Sequence, residues 1–426
     1  MRRLALPVLL LGLGACVSTP PVRAWRPVDA AALERDLTLE EAVGLARNND
    51  VRAAAWQARF DGARAGLVAA SAIPNPTLGL EWEGLGLRES GMSLASLKAG
   101  VSFPLLFWIP RRFQRAEACS QRDAERHAIR AERRALAAEV GTAWYGLLAG
   151  QRKVKITSAL SEDARAALAL AKKAQAAGVR STYDVERAEA EALEAEGEAT
   201  EAASQLRIDR LAFAFALGAD RPALPRAAEP PAPPQEATPA EVIPPDLVAL
   251  ALAGDPAYAK AKATVAATEA ELHLQQVGAI PLTGVTGSLG TKDEPGLGNG
   301  GTAALEIPLP LFDRNCGPIA RARADLLAAR AAEEQARRAV LSDLAQAWER
   351  VRATSVRYER FARPLTELRV KVEAKARALY AQAEIDQGEW LQTQRDVRTA
   401  QKNEVDAWRD AAVSRFQLET LLGKHD

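Results

Sequence analysis

The chain has 426 residues, of which 48% are hydrophobic and 26% are charged, enough for one large domain or two ordinary ones. Its 55 basic and 55 acidic residues cancel, so its charge does not favour binding to nucleic acid. Aromatic residues make up only 5%, and the abundance of alanine, leucine, glutamate and arginine is typical of long helices. Three cysteines cannot form a disulfide scaffold, and three histidines disfavour a multi-histidine metal site. Whether Cys119 and Cys316 form a disulfide stays undecided at this point, because the sequence does not give the distance between them.

The first residues predict a secretory signal. Arg2 and Arg3 precede an apolar run at 4–14, which is shorter than the roughly 20 residues that a transmembrane helix needs. No later segment has the pattern of a transmembrane helix. Signal sequences are removed from the mature protein, so this segment takes no part in the predicted fold.

The end of the apolar run, Leu13-Gly14-Ala15-Cys16, resembles the bacterial lipobox. The resemblance implies a lipoprotein signal peptide at 1–15, a covalent lipid on Cys16, and a lipid-anchored N-terminal arm at 16–38. Val17 follows the cysteine where an Asp would be the inner-membrane signal, which implies sorting to the outer membrane. The alternative is an ordinary signal peptide with an incidental cysteine.

The rest of the chain is an internal duplication with a period of roughly 205 residues, too long for a solenoid unit. We predict a first repeat at 39–218 and a second at 245–423, joined by a Pro-rich linker at 219–244. The matching residues are Ile73-Pro74 with Ile280-Pro281, Ser102-Phe103-Pro104 with Glu306-Ile307-Pro308, Trp144 with Trp348, and Leu217-Gly218 with Leu422-Gly423.

The sequence patterns of both repeats predict the same order of elements, which is a helix, two strands, a very long helix and a shorter helix. The long helices are predicted at about 112–177 and 317–382, each close to 100 Å at about 1.5 Å per residue. Pro364 lies inside the second and should bend it. Residues at heptad spacing, typical of helices that pack knobs into holes, support both predictions. They are Leu136, Val140, Ala143, Leu147 and Val154, and then Val340, Leu344, Ala347, Val351, Thr354, Tyr358, Phe361, Leu365, Leu368 and Val372.

Strict alternation of apolar and polar residues predicts strands at about 77–83, 94–103, 282–290 and 302–311. Each is close to the 9–11 residues of a tilted transmembrane strand. Four strands leave two open edges, which hydrocarbon does not tolerate, so closure needs strands from other copies of the chain. The charged side chains would then face a watery interior, and they are Glu81, Glu83, Lys98 and Glu306. A soluble alternative places both hairpins on a helical bundle with their apolar faces inward.

The chain resembles the TolC family of outer-membrane efflux proteins over essentially its full mature length. The resemblance rests on the duplication and on three motifs, Leu39-Glu40-Glu41-Ala42, Asn48-Asn49-Asp50 and Ile73-Pro74-Asn75-Pro76. A further stretch, from Ile307-Pro308-Leu309 to Asp313-Arg314-Asn315, is similar to the cobalt–zinc–cadmium resistance branch. Cys316 departs from that branch, which often has Gln there.

The resemblance implies a mainly helical chain whose four strands join a trimeric 12-stranded barrel in the bacterial outer membrane, continued by a helical tunnel across the periplasm. The implied partners are outer-membrane lipid, a periplasmic membrane-fusion adaptor and an inner-membrane pump of the RND type. The chain would catalyse nothing, would need no cofactor or metal of its own, and would act as an exit duct, here for heavy-metal cations.

The family's periplasmic tip falls on two turns between helices. By position, the residues that would dock the adaptor are Gly178, Val179, Arg180, Glu384 and Ile385. Asp184 and Glu389 take the acidic positions that would gate the tunnel, where like charges raise carboxyl pKa values and attract cations. Gln392 replaces the second acidic residue of the family, and Glu384 stands where Gly is usual. The alternative is that Asp184 and Glu389 stabilise helix N-termini, and both roles can coexist.

Two other functions stay open. One, within the same family, is a duct for drugs or for secreted proteins. The other, from a different class, is a lipid-anchored coiled-coil scaffold that links membrane and periplasm without conducting anything.

Overall fold

A computed structural model describes residues 28–49, 51–83, 96–229, 240–280, 285–294, 298–382 and 384–424. The predicted signal at 1–15 and the lipid site Cys16 lie outside the described residues, as do parts of the predicted arm and linker. Within the described part the chain is mainly helical with a few strands, as predicted.

The first half contains a short arm, two helices, a hairpin, one very long helix and a shorter helix. These elements are α1 Ala30–Leu33, β1 Asp36–Leu37, α2 Leu39–Asn49, α3 Val51–Ala70, β2 Thr77–Glu83, β3 Ser96–Pro104, α4 Trp108–Ala176 and α5 Thr182–Ala216. The second half repeats the order after one short strand. Its elements are β4 Arg226–Ala227, α6 Pro245–Gly254, α7 Pro256–Gly278, β5 Thr286–Glu294, β6 Gly298–Glu306, α8 Cys316–Val356, a π-helical segment Arg357–Ala362, α9 Arg363–Ala381 and α10 Gln387–Leu421.

Local capping explains where α2 begins. The hydroxyl of Thr38 accepts a hydrogen bond from the backbone N–H of Glu41 at 3.2 Å, and the Glu41 carboxylate accepts one from the N–H of Thr38 at 3.0 Å. This reciprocal pair is a capping box, which satisfies two N–H groups that the helix cannot bond internally. Its glutamate lies within the Leu39–Ala42 motif that the resemblance used.

The long helices dominate the shape of the chain. Helix α4 has 69 residues and is therefore about 100 Å long. It spans Trp108–Ala176, which begins four residues before and ends one residue before the predicted 112–177. Helix α8, the π-helical segment and α9 together run from Cys316 to Ala381, against the predicted 317–382.

Beyond Tyr358, after the π-helical segment, the predicted heptad seam does not pack within the described part of its own chain. Upstream, Val340, Leu344 and Val351 are buried as the seam requires. Downstream the apolar members are exposed, with Phe361 at 65% and Leu368 at 59%. The backbone N–H of Arg363 donates to Tyr358 O, five residues back, and the adjoining Pro364 has no N–H to donate. The wider turn takes up one extra residue. The heptad positions that follow it are therefore rotated by about 100° around the helix axis, relative to the partner helix.

A different set of residues therefore packs α9 against α10. Thr366 and Ala376 of α9 are buried, and the Thr366 hydroxyl donates to Ala400 O of α10 at 3.1 Å. The contact face of α9 is small and polar, while its apolar face points away from α10.

The four longer strands form one antiparallel sheet in the order β2-β3-β5-β6. The first hairpin lies near its predicted bounds, at Thr77–Glu83 and Ser96–Pro104. For the second hairpin, the predicted residues 282–284 lie outside the described residues. Strand β5 spans Thr286–Glu294 and so ends four residues beyond the predicted 290, and β6 spans Gly298–Glu306 against the predicted 302–311. The alternation at 307–311 was misleading, since Pro308 and Pro310 cannot donate to a strand ladder.

The main core lies where the arm and α2 wrap the middle of α4. Its largest buried side chains include Trp144, Phe213, Trp408 and Phe416. The indole N–H of Trp144 donates to Leu37 O at 2.8 Å, and that of Trp348 donates to Ala240 O at 2.9 Å. The two repeats thus use equivalent tryptophans to fasten the segment that precedes each of them.

We expect Trp144→Phe to lower the free energy of unfolding by about 0.5–1.5 kcal/mol, because Leu37 O would lose one of its two donors and keep only the backbone N–H of Ala228. Trp348→Phe is the matched control and should cost less, since its bond is only partly buried. Chemical denaturation of the purified variants measures both. Equal stability of Trp144→Phe and the parent would show that this bond does not hold the arm.

Candidate functional site

One face of the four-stranded sheet is apolar and exposed. Backbone pairing puts Leu78 opposite Val101, and Val101 opposite Leu289, so the three lie in one row across the sheet. Leu80 and Leu305 share this face by alternation along their strands. All five are exposed, Leu289 by 72%, which means that the described residues of one chain leave this face uncovered.

The opposite face is polar and rich in glycine. Glu81 pairs with Lys98 across β2 and β3, and Glu306 pairs with Thr286 across β6 and β5. By alternation these residues occupy the face that lacks the leucines, where the sequence predicted a watery lumen. Glu83, the fourth predicted lumen residue, pairs with Ser96 through the backbone.

At the far end of the helices, the turn between α4 and α5 is closed by its own hydrogen bonds. Gly178 has a φ of 73°, a left-handed conformation that favours glycine, and its N–H donates to Gln175 O at 2.9 Å. The N–H of Val179 donates to Ala174 O at 2.9 Å, while its side chain is 77% exposed. This tip therefore combines a hydrogen-bonded turn with an exposed apolar side chain.

Asp184 forms a capping box at the start of α5. Its carboxylate accepts hydrogen bonds from the N–H and hydroxyl of Ser181 at 3.1 and 2.9 Å, and its own N–H donates to Ser181 Oγ at 3.2 Å. Hydrogen bonds from Ser181, first of the side chain and then of the backbone, hold the pKa of Asp184 below its usual value. Within one chain Asp184 therefore has the capping role and is fully ionised at neutral pH.

The second turn, between α9 and α10, is capped by a different residue. Asp386 is the N-cap of α10 and accepts a hydrogen bond from the N–H of Glu389 at 2.8 Å. Glu389 lies in the first helical turn with an exposed side chain. The N–H of Glu384 donates to Leu379 O at 2.9 Å, and Ile385 follows it half-buried.

An aromatic stack that the sequence did not predict joins the two turns. The guanidinium of Arg180 bonds the hydroxyl of Tyr380 and lies 5.4 Å from its ring centroid. Tyr380 stacks on Trp390 with centroids 5.9 Å apart, and Arg377 lies 5.9 Å from the Trp390 ring. Arg180, predicted to dock an adaptor, is thus already engaged with the other repeat.

A buried carboxylate also joins the shorter helices of the two repeats. Glu191 of α5 is 3% exposed and accepts hydrogen bonds from Arg395 Nε at 2.8 Å and from Arg398 Nη1 at 3.2 Å. Arg398 is 6% exposed, and its Nε and Nη2 atoms have no hydrogen-bond partner among the described residues. Removing one partner of such a pair leaves a buried charge, which is strongly unfavourable.

We call the ion-paired group of Glu191, Arg395 and Arg398 the clamp. The repeat period is the sequence signal from which it could have been predicted. Glu191 and Arg395 are 204 residues apart, and so are Glu198 and Lys402, which pair at 2.9 Å. Equivalent positions of the two repeats therefore lie side by side, with acids on α5 and bases on α10. Aligning the repeats and comparing charge position by position would have predicted these contacts.

The described residues offer little for other chemistry. They contain no group of three or more His, Cys, Asp or Glu side chains that could hold a metal ion. Cys119 and Cys316 are both free thiols, so the disulfide that the sequence left open does not form. None of the helices in this part of the chain is long and apolar enough to cross a bilayer.

Comparison with known proteins gives one curated relative in detail. It is the cobalt-zinc-cadmium resistance protein CzcC of Cupriavidus metallidurans, which is 28% identical over 328 residues, 75% of each chain. Among solved structures, the outer membrane protein VceC of Vibrio cholerae has a TM-score of 0.71 at 18% identity, covering 90% of this chain and 96% of its own. The channel protein CusC has a TM-score of 0.69 at 16% identity, covering 94% and 96%.

A family profile described as outer membrane efflux protein matches residues 43–219 and 247–424, which is most of the chain and one match for each repeat. The resemblance drawn from the sequence motifs is confirmed by this match. The chain therefore belongs to the outer membrane efflux protein family, whose members are transport channels and not enzymes.

Proposed function

We propose that three copies of this chain form the exit duct of a tripartite efflux system, with a periplasmic adaptor and an inner-membrane pump of the RND type as partners. The observation that carries the proposal is the four-stranded antiparallel sheet with open edges at β2 and β6 and one exposed apolar face. Such edges carry unpaired backbone N–H and C=O groups, which are not tolerated in hydrocarbon.

Strand order makes closure with further copies straightforward. Because β2, β3, β5 and β6 alternate in direction, β6 of one copy and β2 of the next would run antiparallel. Three copies would give 12 strands, an even number as outer-membrane barrels have. The leucine face would meet lipid, and the face with Glu81, Lys98 and Glu306 would line the water-filled lumen. The position of Glu83 in β2 fits the same lumen.

The lipid anchor on Cys16 is part of the proposal. It would hold the arm at the inner leaflet of the outer membrane, next to the barrel. The lipobox-like sequence before Cys16 is its support, together with the family's location in the outer membrane.

Heavy-metal cations are the proposed cargo. The support is the match to CzcC, whose name assigns it to cobalt, zinc and cadmium resistance, and the similar stretch at 307–315. A wide water-filled duct needs no dedicated metal site, because the pump selects the cargo and supplies the energy.

We place the periplasmic gate at Asp184 and Glu389, and adaptor docking at Gly178, Val179, Arg180, Glu384 and Ile385. Both acidic residues lie in the first turns of helices that start at the same tip. Three copies around one axis would bring six carboxylates together, which attracts cations. The clamp formed by Glu191, Arg395 and Arg398 would hold the two repeats together just behind that gate.

The quaternary proposal predicts cation-conducting trimers. Detergent-purified protein should have the native mass of three chains and give single-channel currents in planar bilayers. Monomers without conductance would contradict the duct and favour the scaffold function. The variant Leu289→Asp is a useful comparison, because a charge on the lipid-facing side of the barrel should disfavour insertion and lower the yield of channels.

The cargo proposal predicts a selective phenotype. Deleting the gene should increase sensitivity to cobalt, zinc and cadmium salts at least several-fold while leaving sensitivity to hydrophobic drugs unchanged. Growth inhibition series with and without a complementing copy measure this. Drug sensitivity alone would reassign the duct to drug export.

The gate proposal separates charge from helix capping. Asp184→Asn keeps a side-chain oxygen for the Ser181 hydrogen bonds but removes the charge, whereas Asp184→Ala removes both. If the gate role holds, Asn and Ala should reduce cation selectivity equally, and only Ala should destabilise α5. The Ser181 hydrogen bonds hold the pKa of Asp184 below its usual value, so its charge, and with it the selectivity, should persist to a lower pH than an ordinary aspartate allows and be lost only as the pH falls through that lowered pKa. Unchanged selectivity in Asp184→Asn, measured by reversal potentials, would leave Asp184 with capping alone.

A further inference from the structure

The π-helical segment and α9 present an apolar stripe that the described part of the chain leaves exposed. The stripe consists of Phe361, Leu365, Leu368, Val372 and Leu379, which are between 37% and 65% exposed. Except for one missing member, these residues follow the 4,3,4 spacing of a coiled-coil seam. Lys375 fills the gap in the series and has no ion-pair partner among the described residues.

The stripe is exposed because of the π-helical segment, which rotates the heptad pattern away from α10. Without that extra residue the same side chains would pack inside the chain, as Val340, Leu344 and Val351 do upstream. A seam of large apolar knobs needs a facing helix with holes for them. The structure therefore calls for a helix from another molecule.

Helix α5 carries a complementary stripe. Exposed residues at heptad spacing on α5 are Glu186, Ala190, Leu193, Gly197, Thr200 and Ser204. Most are small, so they leave holes between them, whereas the members of the α9 stripe are large. Leu193, the one large apolar member, is 66% exposed.

Charge also favours this pairing. Between Thr182 and Glu201, α5 has eight acidic residues against one basic residue, while α9 has five basic against two acidic residues. Glu186 and Glu201, like Lys375, have no ion-pair partner among the described residues. Opposite net charges draw the two helices together, although each exposed ion pair would contribute little.

The two stripes lie at matching distances from the tip along the helix axes, which we call their heights. Arg180 contacts Tyr380, which fixes these two residues at one level of the tip. With increasing distance from the tip, residue numbers increase along α5 and decrease along α9, so the two helices are antiparallel. Copies related by rotation about the tunnel axis share the same heights. At about 1.5 Å per residue, Leu193 then faces Leu368, Glu186 faces Lys375, and Gly197 faces Leu365.

We propose that the α9 stripe of one copy packs on the α5 stripe of the neighbouring copy and forms the lower part of the seam between subunits. The inference rests on the proposed trimer and adds which helices meet and in what register. The π-helical segment is then the element that converts an internal heptad into an assembly surface.

Cysteine cross-linking tests the register. In a background with Cys119→Ser and Cys316→Ser, the pair Leu193→Cys and Leu368→Cys should oxidise to covalent dimers and trimers that run as a ladder on denaturing gels. The matched control replaces Leu368→Cys by Glu367→Cys, which lies at the same height but about 100° around the helix. We expect at least a tenfold lower yield of cross-linked product from the control.

The outcomes separate this inference from the proposed function. Trimers of the correct native mass that conduct but do not cross-link at 193 and 368 would overturn the inference and leave the duct intact. A disulfide formed within one chain would also overturn it. Failure to form trimers at all would contradict both.

Charge reversal gives an independent check. Lys375→Glu should shift the native mass distribution toward monomer in low salt, and Glu186→Lys in the same chain should restore the trimer. Glu373→Lys is the control, because that residue lies on the α9 face toward α10. Lack of restoration by the double reversal would argue against the pairing of Glu186 with Lys375.

Discussion

Backbone hydrogen bonding at the edges of a four-stranded sheet constrains the rest of this molecule. The sheet ends at β2 on one side and β6 on the other, and its apolar face is exposed. Among the residues that the structure describes, none pairs those edges or covers that face. The same incompleteness recurs in the helices, where α9 exposes a stripe with coiled-coil spacing. Both features make sense for a chain that completes its structure only by assembly.

The duplication explains how one chain supplies neighbouring walls of a duct. Equivalent elements of the two repeats lie side by side, so residues about one repeat apart contact each other. Glu191 with Arg395 and Glu198 with Lys402 are such pairs. Divergence after duplication gave one helix acids and the other bases, which allows two copies of one fold to bind each other specifically. Trp144 and Trp348 show the opposite case, since both repeats retain the same anchoring role.

Much of the fold followed from the sequence because its patterns are long and periodic. The helix lengths, the repeat order and the first hairpin are local properties of spacing and turn residues. The predicted end of the last strand was about five residues too late, because the alternation at 307–311 continued through Pro308 and Pro310 into a segment that cannot form a ladder. At the tip, the sequence left open whether Asp184 caps a helix or gates the tunnel, and the structure gives it the capping hydrogen bonds with Ser181.

The sequence by itself determined that this chain has amphipathic strands, long heptad helices and the motifs of its family, since these depend only on the order of neighbouring residues. The tertiary structure alone decided which faces meet. A single π-helical turn before Pro364 places Phe361, Leu365 and Leu368 on the exposed side of the helix and not on the side that packs within the chain. The heptad spacing of the sequence continues through this turn and so does not predict the change. The contacts of Glu191 and of the Arg180, Tyr380 and Trp390 stack join residues some 200 positions apart. Such contacts depend on how two helices are placed side by side, which local sequence does not encode.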